Sequence, residues 1–159
     1  MAIGFVLTTV VYMVGHQDIY MGSLGFDVDA FRDRATAYIQ QNTADPSEYP
    51  PGAMLYFVFI HLLSVYGIDY GGMFFIFCQG LILVHLGLFN QYGGRKAVYW
   101  GTLFVLCAGP IVFYRFDLLA SLLVLGAMAV FKGGLPRPRR NELAGILLGA
   151  AAMVKVYPL

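Results

Sequence analysis

Charge is what this sequence has least of. Only 12% of its 159 residues are Asp, Glu, Lys or Arg, against about 25% in an ordinary soluble domain. With 59% hydrophobic residues and a mean hydropathy of +0.70, that shortage excludes a water-soluble globular domain and leaves an integral membrane protein. Cysteine is nearly absent too. Cys78 and Cys107 fall inside apolar runs, at no spacing that frames a metal site or a disulfide, so both read as buried free thiols. His61 and His85 stand on apolar runs without a second ligand at metal spacing. Packing or a helix–helix hydrogen bond is the reading for each, and the residues ask for no metal and no cofactor. The net charge is +1, and no basic stripe with interleaved aromatics exists, which sets nucleic acid aside as a partner.

The little charge there is lies concentrated. Six of the nine acidic residues fall between Asp18 and Glu48: Asp18, Asp27, Asp29, Asp33, Asp45 and Glu48. They occupy residues 16–51, the only long polar stretch, which must sit at a water interface because each charge costs several kcal/mol in hydrocarbon. Asp27 or Asp29 can cap a helix running to about Gln40. Phe31, Ala35, Tyr38 and Ile39 recur at helical spacing, so one face is apolar and the helix is expected along the membrane surface. Tyr49-Pro50-Pro51 then forces an extended entry into the next apolar run.

The remainder predicts an all-α integral membrane fold of about six hydrophobic helices: residues 2–15, 52–68, 73–89, 97–114, 118–131 and 142–159. A turn is expected at 69–72 and basic loops at 90–96 and 132–140. The positive-inside rule places Arg95, Lys96 and the four cations Lys132, Arg137, Arg139 and Arg140 in the cytoplasm. The acidic loop then belongs outside. Strict alternation does not satisfy both, so one run must fail to cross fully. The short 52–68 run and the 97–114 run, weakened by Gly109-Pro110, are the candidates. Gly145-x-x-x-Gly149 is a close-packing pattern between membrane helices. Residues 1–159 form a single transmembrane domain. Its first run falls short of the ~20 residues a span needs and its last run breaks off, so the expectation is an N-terminal piece of a longer protein, inactive by itself.

Three motifs, in order, resemble the polytopic GT-C glycosyltransferases, most closely glycosyltransferase family 87 and the related GPI mannosyltransferase I. They are Phe26-Asp27-Val28-Asp29-Ala30-Phe31, then Tyr49-Pro50-Pro51-Gly52, then Arg115-Phe116-Asp117-Leu118-Leu119 followed by Lys155-Val156-Tyr157-Pro158. The resemblance covers only the N-terminal part of such enzymes. It implies a multi-pass protein of the plasma (cytoplasmic) membrane that takes a mannose-like hexose or a pentose from a polyprenyl-phosphate donor. The sugar would pass to a glycan or glycolipid acceptor on the extracytoplasmic side, with inversion. By position, the family's catalytic carboxylate falls on Asp27. Asp29, Tyr49, Arg115, Asp117 and Lys155 are the candidate substrate contacts.

The chemistry needs these residue types. A sugar hydroxyl is a poor nucleophile, and a carboxylate within reach takes its proton as the anomeric bond breaks. Inversion needs that base opposite the leaving phosphate, and the phosphate needs cations where negative charge grows. Arg115 and Lys155 are the cations at membrane depth or its boundary. Each assignment has a plainer rival. Asp27 can be only a helix cap, and Asp29, Asp33, Arg32 and Arg34 can form a solvated face with local ion pairs. Arg115 and Asp117 can pair with each other, and Lys155 can snorkel to the surface. A transporter or lipid-glycan flippase also places charge at membrane depth, but no internal repeat with paired broken helices is visible. A non-catalytic scaffold or degenerate remnant is the third reading.

Overall fold

The computed structural model describes residues 25–41, 49–108, 112, 115–133 and 136–155. The expected first membrane helix at 2–15, the return of the acidic loop at 42–48 and the tail of the last motif at 156–159 lie outside them. The described residues form five α-helices and no strand, so the all-α reading holds.

The first helix, α1, spans Gly25–Gln41. Val28, Phe31 and Ala35 are buried on one face. Tyr38 and Ile39 are exposed, so the apolar stripe is shorter than its sequence suggests. The helix starts earlier than expected, which puts Asp27 inside the first turn rather than at the cap. There a carboxylate still faces the positive end of the helix dipole.

The second helix, α2, spans Pro51–Ser64. Pro50 is extended at its N-cap, and Pro51 starts the helix with a φ already suited to it. The Pro50 carbonyl accepts the N–H groups of Ala53 and Met54 at 2.9 and 3.2 Å. Fourteen residues reach about 21 Å at 1.5 Å each, short of a ~30 Å hydrocarbon core. This is one of the two candidates named above for the run that fails to cross fully.

The third helix, α3, spans Tyr70–Ala108 and differs from expectation at two points. The turn expected at 69–72 is the start of the helix, because the Asp69 carboxylate accepts the Gly72 N–H at 2.8 Å and caps it. The loop expected at 90–96 shrinks to one non-helical residue, Gly94, at φ 67° and ψ −169°. That conformation belongs to glycine, and it folds the helix back on itself. A Cβ on Gly101 would lie 2.7 Å from the Phe89 ring, whereas twelve residues of straight helix would hold the two about 18 Å apart. Among the described residues this is the one helix long and apolar enough to cross a membrane.

Helices α4, Asp117–Lys132, and α5, Arg137–Val154, form the most extensive helix pair. Their close approach rests on the buried alanines Ala120, Ala127, Ala144 and Ala151. The Gly145-x-x-x-Gly149 pattern does not supply it: a Cβ on either glycine would meet nothing within 4 Å. The basic segment is also less of a loop than expected. Lys132 ends α4, and Arg137, Arg139 and Arg140 lie in the first turn of α5, which begins after an extended Pro136. Lys155 is not inside a helix. It is the extended C-cap of α5, at φ −149° and ψ 120°.

The core gathers where α1, α2 and α3 meet: Phe31, Phe57, Phe74, Ile60, Ile82 and Cys78 are its largest fully buried side chains. Around it the outer surface is apolar, with Leu55, Trp100, Phe104 and Ile146 all more than half exposed. Cys78 is the buried thiol expected, but Cys107 is exposed, since its helix turns that face outward.

Candidate active site

The site is built on Phe116. This residue immediately precedes α4 and is 8% exposed. Its ring meets Phe31, Phe57 and Tyr49 edge-on, with centroids 5.5, 5.4 and 6.0 Å away. Phe31 stacks in turn on Phe57 at 4.4 Å and meets Tyr49 edge-on at 5.7 Å. Aromatic pairs of this kind each contribute about 0.5–1.5 kcal/mol beyond their buried area. The quartet therefore ties α1, the Tyr49-Pro50-Pro51 entry, α2 and the start of α4 to one point.

Charged residues adjoin Phe116 in the chain. Arg115, before it, pairs with Asp27 at 3.6 Å, both side chains about half exposed. Asp117, after it, pairs with Lys155, whose ammonium also stands 5.6 Å from the centre of the Phe116 ring. Arg115 and Asp117 thus do not pair with each other, as one reading of the sequence allowed. Phe116 separates them and each reaches a different helix. The Cys78 thiol donates to the Arg115 carbonyl at 3.9 Å and fixes the backbone there.

Glycine 52 explains how Lys155 arrives. A Cβ at this position would lie 2.5 Å from the Met153 carbonyl oxygen and 2.8 Å from the Val154 nitrogen. Backbone crosses backbone here, so only glycine fits, and the crossing delivers the residue after Val154 to the ring. Of the residues singled out from sequence, Asp27, Tyr49, Arg115, Asp117 and Lys155 come together. Asp29 does not join them: it pairs with Arg32 at 3.1 Å on the exposed face, and Arg32 also reaches Asp33 at 3.4 Å.

Sequence reading missed the aromatic wall. Phe116 stood between two weighed charges and went unweighed, although a phenylalanine between two oppositely charged residues is itself a signal of a separator. His85 behaves as expected. One ring nitrogen lies 2.8 Å from the Leu81 carbonyl, which fixes a proton there, and the other lies 3.0 Å from the Ser121 hydroxyl oxygen, linking α3 to α4. The two polar groups line an otherwise apolar cavity of about 880 Å³ between the halves of α3 and α4. No group of three or more His, Cys, Asp or Glu able to hold a metal exists among the described residues.

The chain belongs to glycosyltransferase family 87, whose family model matches residues 48–159, more than half of its length. No curated protein matches it, and no solved structure does. Membership makes glycosyl transfer the activity to be explained, with a sugar donor and an acceptor as substrates.

Proposed function

We propose that this chain carries the donor- and base-bearing part of a glycosyltransferase that takes its sugar from a polyprenyl phosphate and works on the extracytoplasmic face of the membrane. The observation that carries this reading is the convergence of Asp27 with Arg115, and of Lys155 with Asp117, at the two chain neighbours of Phe116. The site holds two cations and two carboxylates, of which the cations and Asp27 match the needs of the step. The cations stabilise the phosphate as it leaves with the bonding electrons of the anomeric C–O bond. Asp27 accepts the proton of the incoming hydroxyl on the opposite face, giving inversion. Tyr49 lies at the rim of the wall, where its ring can meet a sugar. Asp29 lies on the exposed face against Arg32 and is left to acceptor contacts at most.

A lipid-borne donor fits the surroundings. Large apolar side chains face outward over much of the molecule, which water would penalise and a bilayer would not. The closed end of the α4–α5 hairpin is basic, and the open end carries Asp117 and Lys155. About 24 Å of helix separates the two, so a cytoplasmic basic end puts the site near the outer leaflet. The test is donor choice. The full-length protein in detergent is offered one sugar either on polyprenyl phosphate or on a nucleotide. Transfer from the lipid donor alone is expected, and equal use of the nucleotide sugar overturns the lipid-donor reading.

A further inference from the structure

We propose that Arg115 masks Asp27 until a donor phosphate draws the guanidinium away, so that the base becomes available only once the lipid donor is bound. This rests on the function proposed above and adds an order of events to it.

Both cations are held by carboxylates: Arg115 by Asp27, and Lys155 by Asp117. The Arg115 guanidinium lies against one oxygen of the Asp27 carboxylate and stands in the way of a hydroxyl approaching that oxygen. The Asp27 pair is also the loose one. Its 3.6 Å separation is long for a charge-assisted hydrogen bond, and both side chains are about half exposed. Such pairs are held weakly against water. A phosphate offers Arg115 two oxygens in the geometry a guanidinium prefers. The exchange therefore favours the phosphate.

The backbone permits it. Phe116 is wedged among Phe31, Tyr49 and Phe57, and Cys78 holds the Arg115 carbonyl. Only the Arg115 side chain needs to swing. Asp27 stays anchored through its neighbours Val28 and Phe31, which are buried. The exchange leaves a free carboxylate beside a bound donor, and none when the donor is absent. Binding is then ordered, with the lipid donor first and the acceptor hydroxyl second.

The full-length protein in lipid nanodiscs tests this with undecaprenyl phosphate, which carries no sugar, as the probe. Carbodiimide–amine labelling of Asp27 is read by mass spectrometry, with Asp29 and Asp33 as internal references and native mass spectrometry reporting bound lipid. Labelling of Asp27 should rise about five-fold or more when the lipid binds, while Asp29 and Asp33 stay constant. Arg115→Gln should label at the high level without lipid. Arg115→Lys, which keeps the cation, should stay low until lipid is added. Bound lipid with unchanged or reduced Asp27 labelling overturns the exchange and leaves the proposed function standing. Failure of the wild-type protein to bind the lipid overturns both.

Discussion

Asp27 and Asp29 are two positions apart and have different surroundings. Asp27 lies beside Arg115 at the aromatic wall, and Asp29 lies on the outer face against Arg32. The separation follows from about 100° of rotation per helical residue, which turns the two roughly 200° apart. Asp27→Asn keeps the shape and removes the base, so transfer should fall about 10²-fold or more with folding intact. Asp29→Asn should change transfer less than about three-fold, because an exposed (i, i+3) pair contributes little. The reverse pattern would move the base to Asp29. Lys155→Met tests the other flank. It keeps the length of the side chain and removes one charged contact to phosphate, a loss of about 1.5–3 kcal/mol. The KM for the lipid donor should rise about ten-fold or more, and an unchanged KM removes Lys155 from the site.

Among the elements, two glycines set the geometry. Gly52 lets α2 cross the end of α5 at backbone contact. In Gly52→Ala the helices must part, at a cost of about 1–3 kcal/mol, and the thermal midpoint in detergent should fall. Gly145→Ala, where a Cβ meets open space, should leave the midpoint unchanged or raise it, since alanine favours helix by roughly 1 kcal/mol. Gly94→Ala should destabilise by about 1–3 kcal/mol, because only glycine tolerates its φ and ψ comfortably. Equal midpoints for Gly52→Ala and Gly145→Ala would contradict the crossing.

Helices α1, α2 and α4 were legible in the sequence to within a few residues, because polar stretches or prolines bound each of them. The break near residue 94 was legible as well, though not its economy. Composition shows Gly93-Gly94 and Arg95-Lys96 as a loop, whereas a single glycine torsion suffices. The start of α3 was not legible, since an aspartate before two glycines reads as a turn unless its carboxylate turns back to cap. The close-packing role assigned to Gly145 and Gly149 failed for a related reason. Spacing identifies a small-residue face but not the neighbour, and here the neighbour packs on Ala144 and Ala151. The site charges could be named individually. Their pairing could not, because it depends on Phe116 separating residues that are adjacent in sequence.

Among the described residues, the charged residues of the three motifs meet at one end, and Lys132, Arg137, Arg139 and Arg140 gather at the other. Asp27, Arg115, Asp117 and Lys155 share the end where α4 begins and α5 stops, while Lys132 and Arg137 mark the opposite end. The function proposed above has the first end facing outward and the second facing the cytoplasm. Single cysteines in a Cys-free background should show it. In intact cells an impermeant thiol reagent should label position 43 and spare position 138, and the opposite pattern reverses the orientation. The most direct measurement combines side and chemistry. Sealed right-side-out and inside-out vesicles carrying the full-length protein are loaded with a polyprenyl-phosphate sugar and given an impermeant acceptor from outside. Transfer in right-side-out vesicles, lost about 10²-fold or more in Asp27→Asn, is the predicted result. Transfer confined to inside-out vesicles, or undiminished in Asp27→Asn, would contradict it.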